Sequence, residues 1–577
     1  MLHTIVLGIA AAATGQPSPA ELAWVSRNAV PIETVEAGHG FKDLEPLSPI
    51  FQRARVVGLG ESTHGTREDF QMKHRLVEFL ASQLGYTIFS IEASSPEAFR
   101  VDEYVSLGKG DPARLIGGMY FWTWNTEEVL SMVEWMRAFN QDSTPGVNRI
   151  RFTGFDMQER RVSQSIVRQF IALAEPDFLP TLDADFADLE SAGPAQAGFA
   201  TSTGTLRAES ARGKRVTLKG QIRTRNADGF AGLWMRVDGP ELKPLAFDNM
   251  ADRGPRGDSD WKEYSLTLDV PQEAANINFG FLMSGAGSAW FDACEITVGG
   301  APYSAPDLDL SFDGPDITGL SRSADGYDIS IDRQEHAAGT GALRLQSRDA
   351  GKPRTDPLAP AATVWDHLKK KRDAYTAAGR PAAEVDWAIH NAEIVHQWAR
   401  MTRDGNRGTN ARDEAMARNV LWLLEQNPDA KVVLWAHNMH MSTQPGFQGR
   451  FLRDALGDQY VSVGFAAGAG QYYAMPGPAR QGFVHDLTPA APDSVEALFE
   501  QAGFTIAALD LHKAEKKTAG SRWAFEPRTI RTIGALATDE QFGRYAMRDT
   551  FDVLIYIRDT TAARQLKTPP APLGGRE

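Results

Sequence analysis

Val56-Val57-Gly58-Leu59-Gly60-Glu61-Ser62-Thr63-His64-Gly65 joins a short apolar run to a carboxylate and an imidazole. A continuous apolar run of this length, followed by residues with helical spacing, reads as a strand of a parallel sheet covered on both faces. In open α/β sheets ligands bind beyond the carboxyl ends of the strands, so Glu61 and His64 are delivered together to the place where chemistry happens. A glycine on each side, Gly60 and Gly65, lets the backbone turn sharply and come close to a substrate.

Three further apolar runs end in side chains that packing alone would not select. Tyr86 to Ile91 runs into Glu92, Arg149 to Phe155 into Asp156, and Lys431 to Ala436 into His437, with His440 three residues on. One polar strand end is ordinarily a solvated one; four converging on a single sheet edge point to a shared site. Thr66 and Asp69 are placed to cap a helix from Arg67 to Leu84 whose apolar residues Phe70, Val77, Leu80 and Leu84 keep helical spacing. Lys73 falls on the same inward face, so its ammonium either snorkels past the stripe or points at the site. Asn125, followed by Glu128, opens a second helix. The aromatic residues before it, Trp122 and Trp124 among them, wall a substrate pocket or pack at the edge of the core. Arg412 opens a helix running to Gln426, where a cation opposes the helix dipole, and this hints at a carboxylate or ligand partner. His390 and His396 read as packing or exposed residues.

The strings GESTHGTREDFQMKHRLVEFL (Gly60 to Leu80), WNTEEVLSMVEWMRAFN (Trp124 to Asn140), RDEAMARN (Arg412 to Asn419), WAHNMHM (Trp435 to Met441) and FDVLIYIRDT (ending at Thr560) resemble, in order, the erythromycin esterase family. The resemblance implies a metal-independent hydrolase of α/β fold that opens ester or lactone bonds with an activated water, and no cofactor. It would make His64 the general base, Glu61 its acidic neighbour, Glu92 the acid closing the second strand, and His437 and His440 the paired histidines. Macrolide-cleaving members tend to carry Arg where Lys73 stands, and an ammonium cannot reproduce a planar two-pronged donor. The expected substrate is therefore a small-molecule ester or lactone other than a macrolide.

At 577 residues, 42% hydrophobic and 23% charged, the chain is too long for one compact core. The expected architecture is α/β, a mostly parallel sheet flanked by helices in two parts, residues 22–195 and 355–565, interrupted by an all-β sandwich at 198–350. That middle segment alternates short strands with turn residues. In GLWMRVDGP and AWFDACEITV it resembles a carbohydrate-binding jelly roll, which makes carbohydrate a second expected partner. A formal charge of −14 argues against nucleic acid and acidic membrane surfaces. Residues 1–18 read as a signal peptide with an apolar Ile5 to Ala13 and almost no basic start, so a periplasmic or secreted location is expected. No later stretch approaches the ~20 apolar residues of a membrane span. The single cysteine, Cys294, excludes an internal disulfide and a zinc–cysteine site, and in its alternating strand it reads as a packing residue.

A serine hydrolase would want G-x-S-x-G, and only its first half is present at Ser62, for which a capping or hydrogen-bonding role is preferred. His437, His440, His64 and a carboxylate are also the ligand types of a divalent-metal-dependent hydrolase, but HExxH is absent. A glycan-binding protein with an inactive α/β scaffold is the alternative from another class, and the four polar strand ends argue against it. The preferred chemistry has His64, held in one tautomer by Glu61 or Glu92, taking a proton from water. His437 or His440, with Lys73 or Arg412, would supply donors to the oxyanion. Trp122, Trp124 and Asp156 complete the expected substrate-binding set.

Overall fold

The computed structural model describes residues 16–142, 149–192, 199–239, 244–251, 253–305, 308–323, 326–348, 356–404, 409–475 and 482–567. Residues 1–15, and with them the apolar start of the expected signal peptide, lie outside them. Among the described residues no helix is long and apolar enough to cross a membrane. The chain divides into two compact units, Met1–Asp185 with Leu358–Glu577, and Phe186–Pro357.

In the first unit the main sheet runs in the order Val30–Pro31, Ile506–Asp510, Val553–Thr560, Tyr460–Ala474, Val56–Leu59, Val432–Trp435, Ile88–Ser94, Arg151–Asp156. The strands from Val553–Thr560 onward are parallel, and Ile506–Asp510 is antiparallel to both of its neighbours. The central strands are apolar on both faces because both faces are covered. Val57, Leu59, Val433 and Trp435 pack with Phe70, Val77 and Met132, while the alternate residues Val56, Val432 and Leu434 pack with Met416, Val420 and Leu424. Leu59 pairs with Trp435, and Trp435 with Ile91. The polar ends read from the sequence therefore stand in a row on four consecutive strands.

Several local details differ from expectation. Glu92 lies inside its strand, where pairing with Arg151–Asp156 shifts register between Ile91 and Ser94; such irregularities re-aim a side chain. The Arg67–Leu84 helix has the expected bounds and ends at Gly85 with φ 73°, but the Thr66 hydroxyl bonds that of Thr63 instead of capping it. The second helix, Glu127–Gln141, is capped by the Thr126 hydroxyl accepting from Val129 N, not by Asn125. The helix carrying Arg412 begins earlier, at Thr409.

The two glycines serve packing, not substrate approach. A methyl at Gly65 would stand 1.9 Å from the carbonyl oxygen of Tyr473, and one at Gly60 would stand 2.3 Å from Asn438 Oδ1. This close approach lets the Gly65 carbonyl accept from Tyr473 N at 2.9 Å and Ala563 N at 2.8 Å, which ties the His64 turn to two other segments.

The second unit holds two antiparallel sheets. One runs Ser321–Ser323, Phe199–Arg207, Asn276–Ser284, Phe230–Asp238, Pro244–Asp248, the other Tyr327–Asp332, Ala342–Ser347, Ser288–Val298, Arg215–Ala227, Gly257–Asp269. Leu233, Met235, Phe279 and Phe281 from the first meet Leu218, Ile222, Phe291 and Leu343 from the second in a core of their own. Cys294 is partly buried against Gly220, and burial, with the Asp292 carboxylate, holds its thiol protonated.

Candidate active site

The turn after Val56–Leu59 folds His64 back onto Glu61. His64 Nδ1 lies 2.6 Å from Glu61 Oε1. A carboxylate only accepts, so Nδ1 carries a proton toward Glu61, and whenever the ring is neutral Nε2 keeps its lone pair. The other carboxylate oxygen, Glu61 Oε2, accepts from Lys73 Nζ at 2.5 Å and from Trp435 Nε1 at 2.8 Å. Lys73 is fully buried, gives a second bond to the Ala436 carbonyl at 3.1 Å and sits 4.5 Å above the Trp435 ring. Of the two orientations left open by the sequence, its ammonium points at the site, where its side-chain partner is Glu61.

Burial pulls the Lys73 pKa down to about 8 against the opposing pull of Glu61. Above that pH the ammonium that fixes Glu61 is lost, and His64 loses an anchored partner. Turnover is therefore expected to fall as pH rises through about 8. The unfolded chain would keep this proton up to 10.5, so between about 8 and 10.5 deprotonation favours the folded state. An alkaline loss of rate without unfolding is the expected result; a rate that stays level to pH ~10 would contradict it.

His437 faces His64 with ring centroids 5.2 Å apart. It caps the short Asn438–Met441 helix, its Nδ1 accepting from Met439 N at 3.3 Å. Burial, aided by the fields of His64 and His440, holds its pKa well below the ordinary value, so the ring is neutral. With Nδ1 accepting, the proton sits on Nε2, and that buried nitrogen has no hydrogen-bond partner among the described residues. The two rings thus present opposite functions, an acceptor on His64 and a donor on His437.

The remaining polar ends form a network behind them. Arg412 gives Asp156 two bonds, Nε to Oδ1 at 3.2 Å and Nη2 to Oδ2 at 2.8 Å, while Nη2 also reaches Glu92 Oε1 at 2.6 Å and Nη1 lies 3.1 Å from His440 Nε2. Glu92 Oε2 accepts the backbone N–H of His437 at 3.3 Å. Burial works against charge on Glu92, yet His440, Arg412 and His64 hold its carboxyl well below the usual range. His440 Nδ1 lies 2.8 Å from Asp413 Oδ1; burial lowers its pKa, but Glu92 and the bond to Asp413 outweigh this and raise it.

Glu61, His64, Lys73, Glu92, Asp156, Arg412, His437, His440 and Trp124 are thus brought together. Trp124 stands edge-on to His64 at 5.7 Å and donates Nε1 to the Glu92 carbonyl at 2.8 Å. Trp122 is half-buried on Tyr473 at 5.4 Å, and among the described residues no hydrogen bond joins it to the histidines. Three roles change. Arg412 and Asp156 are bonded to each other and Arg412 also to Glu92, an arrangement that braces the site, and Glu92 bonds the His437 turn while Glu61 is the carboxylate on His64. Ser62 is fully buried and its Oγ donates to Asp69 Oδ2 at 2.7 Å, the hydrogen-bonding role preferred for it. A guanidinium and a carboxylate occupy the two nitrogens of His440, and among the described residues no group of His, Cys, Asp or Glu could hold a metal ion.

Sequence reasoning missed four residues. Trp435 holds Glu61; Asp413 orients His440; Asp69, its carboxyl pushed up to about 7 by burial, holds Ser62. Asn438 clamps the neighbouring strand, donating to Phe465 O at 2.7 Å and accepting from Phe465 N at 2.9 Å. Trp435 was the findable one, since a large N–H donor closing a buried strand needs a partner.

Fold and site define a class, α/β proteins with a histidine–carboxylate centre at the carboxyl ends of a parallel sheet. The family model described as erythromycin esterase matches residues 81–231 and 326–560, and the chain belongs to that family, one of hydrolases. The matched residues include Glu92, Asp156, Arg412, His437 and His440 and begin after the His64 turn. The chain is 38% identical over 116 residues (20% of this chain) to a Bacillus subtilis (strain 168) protein named "Uncharacterized HTH-type transcriptional regulator YbfP" and 28% identical over 170 residues (28% of this chain) to "Erythromycin esterase type II" of Escherichia coli. It spans only 39% of the length of each of these relatives. The structure of an erythromycin esterase mutant, EreC in its open conformation, superposes with a TM-score of 0.52 at 14% identity, covering 92% of this chain and 96% of that one, and shows a shared fold.

Proposed function

We propose that the protein hydrolyses an ester or lactone bond of a small molecule other than a macrolide, by direct attack of a water activated by His64. Nε2 of His64 takes a proton from the water as its oxygen bonds to the acyl carbon. The imidazolium that forms is held through Nδ1–H by Glu61, itself fixed by Lys73 and Trp435. The carbonyl electrons move onto oxygen, and the Nε2–H of His437 donates to that oxyanion. On collapse the C–O bond to the alcohol breaks, the leaving oxygen takes the proton from His64 and the acid product remains. General-base catalysis is worth ~10²–10⁴ in rate and an oriented oxyanion donor ~10²–10³.

The observation that carries this reading is the pairing of two buried imidazoles with opposite hydrogen-bonding patterns, one with Nδ1 turned to Glu61 and one with Nδ1 accepting from Met439 N and a buried Nε2 that has no partner among the described residues. His64 is 8% and His437 7% exposed, so the acyl group would react largely out of water, where such donors act most strongly. Purified protein assayed against model esters, a lactone panel and acylated sugars is expected to hydrolyse at least one class, and to keep doing so after exhaustive EDTA treatment. Inactivity across the panel would count against the hydrolase reading. Activity lost to EDTA and restored by zinc would count against imidazole activation of water.

A further inference from the structure

We propose a second site, independent of the histidine centre: the cavity of about 640 Å³ lined by Arg450, Arg453, Arg544 and Arg548 binds a small phosphoryl-bearing polyanion. Four guanidiniums around one cavity are unusual in a chain of net charge −14, where a diffuse basic surface cannot explain them. Their side chains are 26% to 61% exposed, so all four can be reached from solvent.

The internal partners fix these arginines without exhausting them. Arg450 donates only through Nε, to both oxygens of Asp454 at 2.9 and 3.1 Å, among the described residues. Arg544 is held by Asp493 at 2.6 Å and by the Pro527 carbonyl at 3.0 Å. Asp552 is shared by Arg453, by His512 at 3.2 Å and by Arg548, whose Nη1 reaches only to 3.9 Å. Arg453 Nε is buried without a hydrogen-bond partner among the described residues. Asp549 is the one carboxylate among the lining residues, against four cations.

The walls are pinned before any ligand arrives. Thr443 Oγ1 donates to Asp549 O at 2.8 Å and Gln444 Nε2 to Thr550 Oγ1 at 3.0 Å, which joins the segment bearing Arg450 and Arg453 to the one bearing Arg544 and Arg548. A planar carboxylate satisfies one guanidinium fork. A tetrahedral phosphoryl group offers acceptors in several directions, which suits arginines converging from separate segments.

Isothermal titration of the full chain with pyrophosphate at fixed ionic strength tests this. Saturable one-site binding is expected, weakened about tenfold in Arg450→Gln and in Arg548→Gln and abolished in the double variant. Arg522→Gln, which removes an exposed partner of Glu526 outside the cavity, should bind as wild type. Arg450 has only its surface bond to Asp454, so its variant folds. Citrate should bind at least about tenfold more weakly than pyrophosphate. Absence of saturable binding, a double variant that binds like wild type, or citrate binding as tightly as pyrophosphate would overturn the proposal.

Discussion

His64→Ala is expected to lower kcat/KM by about 10³-fold for any ester the protein hydrolyses, within the range for loss of a general base. The fold should be unaffected, since Glu61 keeps Lys73 and Trp435 as partners and the turn remains tied through the Gly65 carbonyl. The loss should appear in kcat as well as in kcat/KM, because the proton transfer belongs to the transition state. Steady-state kinetics with thermal melts on the same samples check this. A variant within threefold of wild type would remove His64 from the chemistry, and one that melts far earlier would make its role structural.

Lys73→Met is expected to have the largest effect on stability. Glu61 and Lys73 are both fully buried and in contact at 2.5 Å, and removing one member of such a pair leaves the other charge without compensation. Leaving Glu61 buried without its partner costs about 3–5 kcal/mol, and relief of the burial that pulls the Lys73 pKa down offsets part of that loss in denaturant unfolding. Met keeps an apolar side chain beside Trp435 and Phe465 and deletes the ammonium, so most of the loss should be electrostatic. A double variant, Lys73→Met with Glu61→Gln, should regain part of that stability while remaining inactive, because Gln does not hold His64 in the same charge state. A single variant that unfolds within 1 kcal/mol of wild type, a difference that surface substitutions produce, would show that the buried pair carries little.

Much of this was legible in the sequence because a parallel strand buried on both faces leaves few places for a polar residue. Glu61, Glu92, Asp156 and His437 were readable as site residues for that reason, and the strand order puts their four strands side by side. Arg412 does have carboxylate partners, Asp156 and Glu92, although the helix begins at Thr409 and the first-turn argument that suggested them does not apply. Lys73 could be placed on the inward face but not matched to a partner, since helical spacing gives a direction and not a distance. The braces escaped for a related reason. Trp435 meets Glu61 across 374 residues of sequence and Arg412 meets Glu92 across 320, and only the order of strands in the sheet brings them together. The irregularity at Glu92 and the choice of Thr126 over Asn125 as a helix cap depend on backbone angles that composition does not reveal.

The proposed chemistry requires His64 and His437, whose ring centroids lie 5.2 Å apart, to present opposite tautomers to each other. A long-range nitrogen–proton correlation spectrum of histidine-labelled protein at neutral pH, assigned with single-histidine variants, reads which ring nitrogen bears the proton. The geometry predicts His64 protonated on Nδ1 toward Glu61, and His437 protonated on Nε2 with Nδ1 accepting from Met439. His64 protonated on Nε2, or His437 protonated on both nitrogens, would leave no base facing a donor and would contradict the account.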